Sequence, residues 1–98
     1  MNARDKSYAE SIARALTNPE EAAAYIEAAI EQDDTAALLV ALRHVAQAHG
    51  MAEVARRAEV GDKALFKSLS DKGNPTITTV SKVLHALGLR LSVAPAHT

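Results

Sequence analysis

The most confining stretch of this sequence is MAEVARRAEVGDKALFKSL, residues 51–69. Its apolar residues fall at helical spacing in two short groups. Val54, Ala55 and Ala58 precede Glu59-Val60-Gly61, and Leu65 and Leu69 follow it. Neither group is long enough for a helix that survives alone in water, so each must be held by a neighbour. Two short helices packed at a steep angle need a small residue where they touch, and Ala55 fills that place. Val54 and Ala58 bury the first helix, Val60 plugs the turn, and Leu65 and Leu69 bury the second. That leaves Asp62, Lys63, Phe66 and Lys67 on the outer face of the second helix, two of them cationic. A helix with these residues free can enter a groove about 12 Å wide.

The flanking sequence supplies more helices. Asn18-Pro19-Glu20-Glu21 is a helix start: Asn caps, Pro tolerates the first turn and the carboxylates complement the dipole. This helix is expected to run to about 32, with Ala22, Ala23, Tyr25, Ile26, Ala29 and Ile30 as its apolar stripe. A shorter helix over 6–16 is expected before it, ended by Pro19. Asp33-Asp34 opens the next, which carries Leu38, Leu39, Leu42, Val45 and Ala46 inward and stops at Gly50. After a loop at 71–75, a last helix over 76–87 carries Ile77, Val80, Val83, Leu84 and Leu87 on one face, and Gly88 ends it. Leu89-Arg90-Leu91-Ser92-Val93 alternates with period two and predicts one short strand, limited by Pro95. A single strand has no mate within the chain, so it is either a tail packed on the body or an edge that pairs with another molecule.

Length and composition place the chain among small globular proteins. With 98 residues, 48% hydrophobic and 23% charged, it has the balance of one folded domain with a small core. The absence of cysteine excludes disulfides and thiolate metal sites. No apolar run approaches the roughly 20 residues of a membrane span, and residues 1–15 carry charges throughout, unlike a signal peptide. The expected location is the cytoplasm, with no membrane partner. The net charge of −1 conceals an uneven distribution. Residues 1–50 hold four basic and eight acidic side chains, whereas residues 51–98 hold seven basic and four acidic ones. One half suits phosphate, and the other repels it or suits a basic partner.

Residues 51–87, including the loop Gly73-Asn74-Pro75-Thr76 and the helix after it, resemble the Cro/CI-type helix-turn-helix family, with Ala55 and Val60 at the family's small-residue and turn-valine positions. The family usually has glycine in the turn where this chain has Glu59. If that position needs positive φ, glutamate there costs roughly 1 kcal/mol. A wider resemblance, over about 19–93, is to HigA-like addiction-module antidote proteins. It rests on Pro19-Glu20-Glu21-Ala22-Ala23-Ala24-Tyr25-Ile26, Leu42-Arg43-His44-Val45-Ala46, Gly50-Met51-Ala52-Glu53-Val54-Ala55, Gly73-Asn74-Pro75-Thr76 and Leu87-Gly88-Leu89-Arg90-Leu91-Ser92-Val93. This resemblance implies an antitoxin that neutralises a RelE-superfamily ribonuclease toxin and represses its own operon.

Several residues carry two readings. Lys63 and Lys67, four apart, share a face; they are solvated lysines or contacts to bases and phosphate. Asp62 is an N-cap or an acceptor from cytosine, and Phe66 is a core aromatic or a contact to a thymine methyl. Arg56 and Arg57 contact phosphate or form surface ion pairs, while Lys72, Asn74 and Thr76 lie where the chain passes near phosphate. Asn74 is also a turn former. The stretch 20–34 holds Glu20, Glu21, Glu27, Glu31, Asp33 and Asp34 with no basic residue. It is either a solvated face with two capping sites or a docking surface for a cationic ribonuclease, with Glu20, Glu21, Glu27 and Glu31 as the contacts. His44, His49, His85 and His97 lack zinc-ligand spacing, and neither a serine elbow nor a glycine-rich phosphate loop is present. Neither a catalytic constellation nor a cofactor or metal site is expected.

The expected architecture is all-α, a five- or six-helix lambda-repressor-like bundle with a helix-turn-helix and a short C-terminal β-strand. Residues 1–34 form an acidic helical segment and 35–98 the DNA-binding region of one compact domain. A homodimer is expected, because two recognition helices about 34 Å apart read a palindromic double-stranded operator across one DNA turn. The competing functions are a solitary prophage-type regulator without a toxin, and a module that binds only protein.

Overall fold

The computed structural model describes residues 3–70 and 72–96. His97 and Asp71 therefore lie outside the described residues. Six helices follow one another: α1 (Ala3–Ala15), α2 (Pro19–Glu31), α3 (Thr35–His49), α4 (Met51–Ala58), α5 (Asp62–Ser68) and α6 (Ile77–Ala86).

The helix ends follow from local chemistry. The Asn18 side chain accepts from the N–H groups of Glu20 and Glu21, with Pro19 in the first turn and both carboxylates at the positive end of the dipole. Asp34 caps α3 through the Ala36 N–H, and Thr76 caps α6 through the Thr79 N–H. Gly50 both ends α3 and opens α4, at φ 98°.

Two helices end in the same six-residue wrap. After α6, Gly88 takes φ 80°, its N–H donates to the His85 carbonyl, and the Leu89 N–H reaches back to Leu84. After α4, Glu59 takes φ 58° and ψ 42°, its N–H donates to Arg56, and the Val60 N–H reaches back to Ala55 at 3.0 Å. The second wrap turns the chain from α4 into α5 and folds Val60 onto the core. Position 59 does take positive φ, on a glutamate.

Among the described residues the core joins α2 to α6 and their caps, with Leu16, just after α1, at its edge. Leu42, Leu65, Leu69, Leu87, Val45, Val54 and Val83 are its largest fully buried side chains. Helix α3 packs against α1, α2 and α4, while α4 packs against α3, α5 and α6. No ionisable side chain is buried among the described residues.

Three sequence expectations need correction. Among the described residues there is no strand: 89–93 alternates as a strand would, but the chain offers it no mate to pair with. Ile77 does not join the core face of α6 and is 71% exposed, because it opens the helix beyond the reach of the other helices. Tyr25 and Ile30, read as part of the α2 stripe, stand at its edges, and the buried line is Ala22, Ile26 and Ala29. Tyr25 instead donates or accepts a hydrogen bond at 2.6 Å with His44 Nδ1, tying α2 to α3.

A left-handed glutamate is a correctable strain. Glu59→Gly is expected to raise the unfolding free energy by about 0.5–1 kcal/mol, a Tm gain of a few degrees, whereas Glu59→Val lowers it. Thermal melts of the three proteins test this. A lower Tm for the glycine variant would contradict the strain.

Candidate nucleic-acid interface

The interface is built on α4, α5 and the loop behind them. Ala55 and Val54 are closed off from solvent at the crossing: they are 0% and 1% exposed. With Leu65 and Leu69 both wholly buried, α5 can lie on α4 in only one rotation about its axis. That rotation leaves Asp62, Lys63, Phe66 and Lys67 in solvent, with Phe66 58% exposed. The core-aromatic reading of Phe66 is therefore excluded. Asp62 is the first residue of α5 and Gly61 the cap, so Asp62 complements the dipole without capping the helix by its side chain. Neither Lys63 nor Lys67 forms an ion pair with a described residue.

The C-terminal end of α5 is pinned from two sides. Arg43, on α3, donates through Nη1 to the Leu69 carbonyl at 3.3 Å. Gly73 lies against the last turn, and its N–H donates to the Ser70 carbonyl at 2.8 Å. A Cβ built on Gly73 would stand 2.0 Å from the Ser68 carbonyl oxygen, so no other residue fits there without moving the loop. Behind this contact Lys72, Asn74 and Thr76 are exposed. The Thr76 hydroxyl is committed to capping α6, accepting from the Thr79 N–H at 3.1 Å.

Arg56 and Arg57 are exposed on α4, and both are already partnered. Arg56 donates through Nε and Nη2 to the two Glu53 carboxylate oxygens, and Arg57 donates to the same carboxylate at 2.9 Å. The Arg56 hydrogen bonds, assisted by Arg57 and by both positive charges, hold the Glu53 carboxyl down to about 2. The same pair raises Arg56 above its ordinary value. Sequence reasoning left Glu53 out, though its three- and four-residue spacing to the arginines was the signal. Arg43 gave no local signal, because its partner is distant in the chain.

Four further acidic residues lie on α2. On α2, Glu20, Glu27 and Glu31 fall within about 40° of one another at 3.6 residues per turn, opposite the buried Ala22–Ala29 line. Glu21 stands off that line, and all four are exposed. Of the histidines, His44 and His85 are exposed and His49 is half-buried with an unpartnered Nε2. Among the described residues no group of side chains has the make-up of a metal site. No described helix is long and apolar enough to cross a membrane.

Among the described residues these features define a small all-helical protein with a two-helix end that exposes Lys63 and Lys67 and an acidic helix, α2. Residues 7–95 match the family model described as "Probable addiction module antidote protein", and the chain belongs to that family. It is 39% identical over 82 residues to a protein of Haemophilus influenzae described only as uncharacterized, a match covering 84% of either chain. No solved structure gives a significant match.

The Glu53 pair sets a pH expectation. Its carboxyl is lower in the folded chain than its ordinary 4.5, so its contribution to stability is present above pH 4.5 and is lost as pH falls towards 2. Urea unfolding should show wild type above Glu53→Gln at pH 7, by a small margin because the pair is exposed, with the difference vanishing near pH 2. A difference that widens as pH falls would contradict the assignment.

Proposed function

We propose that the protein is a cytoplasmic antitoxin of a type II toxin–antitoxin module, which neutralises a RelE-superfamily ribonuclease toxin and represses its own operon. In this reading α4 and α5 are a helix-turn-helix of the Cro/CI type in a lambda-repressor-like bundle. The carrying observation is that full burial of Leu65 and Leu69 leaves Lys63, Phe66 and Lys67 together in solvent. Helix α5 enters the major groove. Lys67 reaches a base edge or phosphate, Lys63 and Asp62 act at the start of the helix, and Phe66 touches a thymine methyl. Lys72 and Asn74 approach phosphate from the loop, as does the backbone at Thr76. A homodimer presents two such helices to a palindromic double-stranded operator.

Arg56 and Arg57 reach phosphate by exchanging Glu53 for it. Glu53 is then a built-in competitor, and Glu53→Gln strengthens DNA binding several-fold at low salt while steepening its salt dependence. The acidic line Glu20, Glu27 and Glu31, with Glu21 beside it, faces the toxin, whose RNA-binding surface must be cationic. The role is regulatory and uses no catalytic group.

Lys67→Ala should weaken binding to the DNA upstream of the operon by roughly five- to thirtyfold, with an unchanged Tm. Unchanged affinity would reject α5 as the reading helix. Glu27→Lys combined with Glu31→Lys should weaken toxin binding more than DNA binding, and the reverse pattern would reject α2 as the docking surface. Expression of the neighbouring small open reading frame, with and without this chain, tests the antitoxin role itself. Growth arrest relieved by co-expression is the expected result. Absence of arrest would leave a solitary regulator.

A further inference from the structure

After Gly88 the chain leaves the bundle along a groove of about 500 Å³ between α2 and the end of α6. Ile26, Ile30, Leu84, Leu89 and Leu91 give its floor and walls an apolar character, with Glu27 and Arg90 at the rim. The groove is incompletely filled by its own chain. In its lining Ile30 is 55% exposed and Leu91 44%, and Val93, just past the groove, is 97% exposed. The backbone is also unpaired within the chain: from residue 90 to 94 no N–H donates to a described residue and no carbonyl accepts from one. A segment with period-two apolar residues, unused backbone groups and an apolar groove beneath it has the features of an edge strand without its neighbour.

We propose that the missing neighbour is the same segment of a second copy, paired antiparallel about a two-fold axis through Leu91. This deepens the homodimer of the proposed function by placing its interface. Pairing about Leu91 sets Leu91 against itself, Leu89 against Val93 and Arg90 against Ser92. All six apolar side chains of the two copies then fall on one face of the ribbon, over the two grooves. The register also keeps the two Arg90 side chains apart, since each faces a serine. A pairing centred on residue 90 would place the arginines directly opposite, and a pairing shifted by one residue would put the two apolar sets on opposite faces, turning one of them to solvent. The ribbon has natural limits: Gly88, at φ 80°, turns the chain out of α6, and Pro95 lacks the donor to continue. Its formation on association also explains why the single chain has no strand at 89–93. A toxin seated on the groove is the alternative occupant, but that gives no reason for the segment's self-complementarity.

The chain has no cysteine, so a single introduced thiol gives a clean readout. In Leu91→Cys two opposed Cα atoms lie about 4.5–5.5 Å apart, within disulfide range, and mild oxidation should yield the covalent dimer. In Val93→Cys the two thiols lie about 13 Å apart along the ribbon and should not cross-link. Sedimentation equilibrium gives the second readout. Ser92→Arg sets two like-charge pairs across the ribbon and should raise the dimer Kd roughly three- to tenfold, while Ser92→Glu sets two opposite-charge pairs and should lower it by a similar factor. Residue 92 is exposed, so neither substitution there disturbs the fold of the single chain, and the helical circular-dichroism signal should stay unchanged. A wild-type chain that is monomeric at 100-fold the concentration used for DNA binding would overturn both the pairing and the homodimer. A dimer indifferent to residue 92 and not cross-linked through Cys at 91 would overturn this interface alone. Groove residues protected by toxin but not by self-association would assign the groove to the toxin instead.

Discussion

The molecule depends on how closely α4 lets three other helices approach. Ala55 is wholly buried, and α4 packs against α3, α5 and α6. Any larger side chain at 55 would push at least one of them away, since a close-packed interior has no space to absorb it. The turn from α4 into α5 depends on the same point, because the Val60 N–H reaches back to the Ala55 carbonyl. One alanine thus carries the crossing with its side chain and the turn with its carbonyl.

The consequence for function is positional. Helix α5 is short and could not persist alone. It is held at its start by the wrapped turn, along its inner face by Leu65 and Leu69, and at its end by Arg43 and Gly73. The Arg43 guanidinium at the Leu69 carbonyl also suits the negative end of the helix dipole. Side chains on such a helix are presented in one orientation, which reading a groove requires. The charge follows the same separation. The exposed cations of α4, α5 and the loop stand on one set of elements, interspersed with Glu53, Glu59 and Asp62, and the glutamates of α2 stand on another.

Much of this was legible in the sequence, for reasons specific to each element. The α4–α5 pair announces itself because Val54, Ala55, Ala58, Leu65 and Leu69 admit only one inward face for each helix. Helix ends at Asn18, Asp34 and Gly88 were readable because caps are local chemistry. Ile77, Ile30 and Tyr25 were misplaced because periodicity gives the apolar face of a helix but not how far its neighbour extends. The segment 89–93 has the pattern of a strand, and pattern does not supply a mate. On α5 the sequence left Phe66 open between core and surface, and the burial of its neighbour Leu65 decides for the surface. The engagement of Arg56 and Arg57 with Glu53 was encoded in their spacing, while the hold of Arg43 on Leu69 is a contact across the fold with no local trace.

The central claim is that α5 is the surface that meets DNA and α2 is not. It is tested most directly by amide chemical-shift mapping of the full chain during titration with the DNA upstream of its operon. The account predicts that shifts concentrate at 56–67 and 72–76 and fade as salt is raised, while 20–31 stays unchanged. Shifts centred on α2, or none along α5 at saturating DNA, would contradict it.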